Sequence, residues 1–146
     1  FQAPGYVALL NEQNHDVRII PLDGRPHVGS QISQWMGDSR GHWEGDTLVV
    51  ETVQFNGKHD QIGRPLRSTG QNLSLVERFT RTDADTLHYE FVVTDPTIWV
   101  NSWTVALPMK RNPALIYEFA CHEGNYGLYN IMAGSRMEEL AESAPR

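Results

Sequence analysis

A single cysteine, Cys121, stands in the 146 residues, so an internal disulfide is excluded and cysteine usage leaves the redox compartment open. Long apolar runs are missing too: stretches such as Tyr6–Leu10 are far too short to cross a bilayer. Basic residues are few, 12 against 18 acidic for a net charge of −6, and they are scattered. Without a basic stripe to neutralise phosphates, nucleic acid is a poor partner. No glycine-rich loop leads from a strand into a helix; Gly37-Asp38-Ser39-Arg40-Gly41 runs into a strand instead. A Gly-x-Ser-x-Gly nucleophile elbow is also absent. The chain begins at Phe1 rather than an initiator methionine, from which a missing N-terminal segment is expected.

What is present is ordinary for a folded domain: 40% hydrophobic, 10% aromatic and 21% charged residues. Strand signals recur at Val7–Leu10 and His15–Leu22, and then, after a loop over 23–40, in a hairpin over Gly41–Phe55 turning at Glu44-Gly45-Asp46. A second hairpin joins Leu73–Arg81 to Thr86–Asp95 through Thr82-Asp83-Ala84-Asp85, and Asp95-Pro96 ends it. Trp103–Met109 and Leu115–His122 read as further strands. Ser135–Ser143 reads as a short helix, with Ser135 as N-cap and Glu138 completing a capping box. Strands without intervening helices predict one mainly β domain over 1–146, an antiparallel meander. Such a meander removes its edges by curling or closing into a calycin- or lipocalin-like barrel.

Side chains alternate across a strand, so parity sorts candidate interior residues. Glu77 shares a face with Leu73, Leu75 and Phe79; Glu51 with Val49, Val53 and Phe55; His15 with Val17 and Ile19. In Leu115–His122, Glu118 and His122 point either into the domain or to solvent, depending on which face is core. A cavity with apolar walls and a few convergent polar groups is the usual anatomy of a small-ligand site. Carboxylates held there beside a histidine can exchange protons. The structural alternative is that Glu51 and Glu77 pair with arginines such as Arg18, Arg78 or Arg81. Trp35, Trp43, Trp99 and Trp103, with Tyr117 and Tyr126, supply either flat ligand walls or core plugs.

No cofactor is required by these residues. A divalent metal would need His122, Glu118 and His15 together, but Glu118 and His122 lie about 13 Å apart in an extended strand. Cys121 and His122 are strand neighbours on opposite faces and make no nucleophile–base pair.

Trp35 to Phe55 (WMGDSRGHWEGDTLVVETVQF), Val76 to Arg81 (VERFTR), Asp95 to Trp99 (DPTIW) and Tyr117 to Tyr126 (YEFACHEGNY) resemble a largely uncharacterised family of exported bacterial proteins. The resemblance spans nearly the whole chain. It implies a periplasmic or secreted protein preceded by an export signal and a further N-terminal stretch, and no established activity. His15, Asp16, Glu77, Glu118, His122 and Glu123 fall at motif positions and are the first places to look.

The expectation is a small-molecule pocket carrying acid–base chemistry, an elimination, isomerisation or hydration of a small organic or sugar-like substrate. His122 would be the proton-transfer group, Glu118 or Glu77 its partner, and His15 a polariser, with Glu51, Trp99, Trp103 and Tyr126 as ligand contacts. The competing expectation is a lipocalin-like binding protein without catalysis, and a third is an interaction module with a filled core. A homo-oligomer is compatible with any of these.

Overall fold

Short turns and alternating apolar residues fold the chain into two antiparallel sheets and one C-terminal helix. The computed structural model describes residues 1–58, 70–120, 124 and 126–143. The first sheet holds β1 (Gln2–Ala3), β2 (Tyr6–Leu10) and β3 (Val17–Pro21) in that order. The second holds β4 (Asp38–Glu44), β5 (Thr47–Val53), β6 (Ser74–Asp83), β7 (Thr86–Thr94) and β8 (Trp103–Lys110), a five-stranded meander in sequence order. The helix α1 covers Gly127–Ser143. No helix among the described residues is long and apolar enough to cross a membrane.

The sheets meet through one apolar face of each. Val7 and Ile20 of the first sheet pack with Leu48 and Val50 of β5, and Leu9, Leu22 and Phe79 surround them. Complete burial of such a side chain contributes about 1.5–3 kcal/mol. Gly41 of β4 lies where the sheets come closest: a Cβ there would sit 2.8 Å from both Ile20 Cγ2 and Leu22 Cδ2. Register places Gly41, Val50, Glu77, Phe91 and Val105 in one row across this inner face. The neighbouring row holds Trp43, Leu48, Phe79, Tyr89 and Leu107.

Neither sheet closes on itself among the described residues, so the meander is observed and its closure into a barrel is not. Several other expectations are corrected. Leu115–Ala120 forms no strand; these residues are irregular and exposed, and the remainder of that expected strand, Cys121 and His122, lies outside the described residues. Leu115–Ala120 pairs with no strand among the described residues, and strand propensity expresses itself through packing on a neighbour. The helix starts at Gly127, so Ser135 sits in mid-helix rather than at a cap. The first long strand starts two residues later than expected, because Gln13–His15 form a 3-10 turn with Asn14 and His15 at positive φ. His15 is therefore a turn residue. The Val17 and Ile19 face it was assigned to is the solvent side, 50% and 63% exposed, while Ile20 is buried.

Glu51 is corrected as well. It does share parity with Val49 and Val53, but the parity that meets the first sheet is that of Leu48, Val50 and Thr52. Both parities of β5 are apolar, so the strand alone did not identify its inner face. Glu51 stands on the outer face with its side chain 58% exposed.

Candidate functional site

Parity on β6 places Glu77 inward between Leu75 and Phe79, as expected, and there it is 2% exposed. A carboxylate so far from water must be paired and hydrogen-bonded. Arg18 of β3 reaches across from the first sheet and makes both bonds, Nη1 to Oε2 at 2.6 Å and Nη2 to Oε1 at 2.9 Å. Tyr89 of β7 donates its hydroxyl to Oε1 at 2.7 Å. Burial, together with the hydrogen bond to the Glu77 carboxylate, pushes the Tyr89 phenol above its ordinary value, so it stays a donor.

These three residues floor an open groove of about 430 Å³ between the sheets. Leu9 lies on one side, Phe79 and Met109 on the other, and Ile116 at the rim. Ile116 belongs to the irregular segment after β8, which reaches the β2–β3 turn: the Phe119 N–H donates to His15 Nε2 at 3.2 Å. The segment therefore runs from the second sheet to the first beside the groove.

Five aromatic rings continue from the groove along the inner face. Phe79 stacks on Tyr89 at 4.8 Å between centroids, and Tyr89 meets Phe91 at 5.4 Å. Phe91 meets Trp103 edge-on at 6.0 Å, and Trp103 meets Trp99 edge-on at 5.4 Å. Trp99 owes its place to the Asp95 turn, where Asp95 O accepts the N–H groups of Ile98 and Trp99. The Asp95 carboxylate is itself 1% exposed; burial alone would raise it, but bonds from Thr97 and the Gly70 N–H hold it below the usual carboxylate range.

Of the expected site residues, the structure brings Glu77, Trp103 and Trp99 onto this connected inner surface. The other described candidates are not on that surface. Glu51 is on the outer face, Glu118 is exposed in the irregular segment, and Tyr126 is 70% exposed beside the start of α1. His15 touches the segment that rims the groove, through Phe119. His122 and Glu123, with Cys121, lie outside the described residues.

Two features escaped the sequence reading. Tyr89 was overlooked, although it has the inward parity of Phe91 and faces Phe79 directly. The second is a polar knot on the outer side of β4. Asp38 accepts from His27 Nδ1 at 2.8 Å, the Val28 N–H at 3.1 Å and Arg40 Nη1 at 2.7 Å. A carboxylate only accepts, so the His27 Nδ1 carries the proton of that bond. Burial would raise the Asp38 carboxyl, and these three donors outweigh it and hold it below its ordinary value. His27 Nε2 is buried without a hydrogen bond, 3.8 Å from Glu51. Among the described residues no three His, Cys, Asp or Glu side chains are grouped to hold a metal ion.

No family model, curated protein or solved structure matches this chain.

Proposed function

We propose that the protein binds a small, flat and largely uncharged molecule in the groove between its two sheets. The observation that carries this reading is the Arg18–Glu77–Tyr89 triad at the floor of a 430 Å³ groove walled by Phe79, Leu9 and Ile116. Apolar walls with a few fixed polar groups suit a ligand with a ring body and one polar end. Arg18 and Glu77 cancel one another's charge, which favours a neutral ligand over an ion.

Binding is favoured over proton transfer at Glu77 because both its oxygens are already occupied by Arg18 and Tyr89. A general base needs a lone pair aimed at substrate. Acid–base chemistry by His122 with Glu118 is the second reading, and it rests on the sequence alone. Closure into a calycin-like barrel belongs to the same proposal. What supports it is that the segment after β8 lines the groove with Ile116 and reaches the β2–β3 turn, where the Phe119 N–H donates to His15 Nε2. The family resemblance supports an exported location.

The test is titration with 1-aminoanthracene, a neutral fluorescent ring compound. Saturable binding is expected, weakened about three- to tenfold by Ile116→Ala, a change at a 60% exposed rim residue that leaves the core intact. Absence of saturable binding, or equal binding by the variant, counts against the groove. For the second reading, His122→Ala is compared with wild type in a screen for turnover; lost turnover with probe binding retained would favour the enzyme.

A further inference from the structure

An antiparallel sheet with one wet face alternates apolar and polar residues along its strands. The first sheet does not. Val7, Leu9, Arg18 and Ile20 point inward, toward β5 and β6. The opposite parity holds Tyr6, Ala8 and Leu10 on β2 and Val17, Ile19 and Pro21 on β3. These six are apolar but for the Tyr6 hydroxyl, which accepts from Arg25. The one charged residue of the sheet, Arg18, pairs inside with Glu77. Yet the outward face is uncovered: Val17 and Ile19 are half-exposed or more. An open hollow of about 390 Å³ lies on it, lined by Phe1, Ala3, Tyr6, Ala8 and Ile19.

The start of α1 is a second uncovered apolar surface. Leu128, Tyr129, Ile131 and Met132 stand 49–72% exposed. At about 3.6 residues per turn these four share one side of the helix. A helix of 17 residues is marginal in water unless tertiary packing of its apolar side supports it. Within one chain the sheet face and this helix side are both exposed, so neither covers the other there.

We propose that two copies of the chain cover these surfaces reciprocally, α1 of each lying on the outward face of the first sheet of the other. Both surfaces are apolar, and a helix laid on a sheet is a standard packing of layers. Size favours a second copy as the occupant. A stable interface takes roughly 20–30 residues from each side. The six sheet residues fall short alone, and so does one side of a 17-residue helix; engaged together they come within reach of it. A two-fold axis engages both at once, because the contact of helix on sheet is repeated as sheet on helix.

The experiment is analytical ultracentrifugation of the full chain from about 1 μM to 1 mM, where a dimer is expected to form as concentration rises. Ile19→Lys on the sheet and Met132→Lys on the helix, both at exposed positions, are each expected to weaken association about tenfold. Mixed in equal parts they rebuild one contact, α1 of the Ile19→Lys copy on the sheet of the Met132→Lys copy. The mixture is therefore expected to associate more tightly than either variant alone. Circular dichroism matching the wild type establishes that each variant is folded; should one fail, Val17→Lys or Ile131→Lys reads the same surface. A monomer throughout the range overturns the proposal, as does a dimer that either variant leaves at full strength. A mixture no tighter than its components also overturns it, in favour of helix on helix or sheet on sheet.

Discussion

Arg18 and Glu77 leave water together, with side chains 12% and 3% exposed, and each is tolerable only because of the other. Removing one partner of such a pair strands a buried charge at a cost of about 3–5 kcal/mol, whereas replacing both by apolar residues is often neutral. Arg18→Met is therefore expected to lower urea stability by about that amount, and Arg18→Met/Glu77→Leu to recover most of it. A double variant no more stable than the single would show that the pair is not an isolated unit. Asp38 makes a pH-dependent contribution. Its folded pKa lies below the unfolded value near 3.9, so the folded chain holds fewer protons there. The stabilisation is complete above that value and is lost as pH falls through the lower folded one. Asp38→Asn should cost about 1–3 kcal/mol at pH 7, with the gap to wild type narrowing below pH about 4 in chemical denaturation. A gap that stays constant from pH 7 to pH 3 would contradict this. Glu77 was legible because Leu75 and Phe79 flank it at the same parity, and Arg18 could be foreseen as a partner. His27–Asp38 was not legible, since loop residues carry no periodicity from which a contact 11 residues away follows.

At the scale of elements, the meander could be read because turn residues mark each reversal. Gly45-Asp46 joins β4 to β5, and Ala84-Asp85 joins β6 to β7, where the Asp83 carboxylate accepts the Asp85 N–H at 2.8 Å. The entry to β4 depends on Gly37, at φ +69, where a Cβ would lie 2.7 Å from Val53 O. Left-handed backbone and a clash with a fixed carbonyl act together there. Gly37→Ala should destabilise by about 2 kcal/mol or more, read as a lower urea midpoint with unchanged slope. A loss under about 0.5 kcal/mol would mean that β4 enters the sheet differently. What could not be read at this scale was Glu51, because β5 is apolar on both faces and only the contact with Ile20 decides between them. The strand expected at Leu115–His122 failed in its described part for the related reason that alternation supplies a strand's face but not its neighbour. The start of α1 was missed because Ser135 and Glu138 match a capping box within a helix already under way.

For the whole molecule, two open sheets packed face to face leave an aromatic inner surface that the short first sheet does not entirely cover. Trp103 and Leu107 remain 38% and 37% exposed, and Met109 44% exposed at the end of β8. Of the three residues behind the expectation of an unusually polar interior, Glu77 is inside, with Arg18 and Tyr89, while Glu51 and His15 are not. Closure was not decided by composition, since an unclosed meander and a barrel place the same residues in and out. The measurement that bears most directly on the ligand groove is an NMR titration with 1-aminoanthracene, following the ring resonances of Tyr89 and Phe79 and the methyl groups of Leu9 and Ile116. The prediction is that these shift together along one saturation curve while the methyls of Ile131 and Met132 on α1 stay still. Shifts confined to α1, or none at the Tyr89 ring, would contradict it.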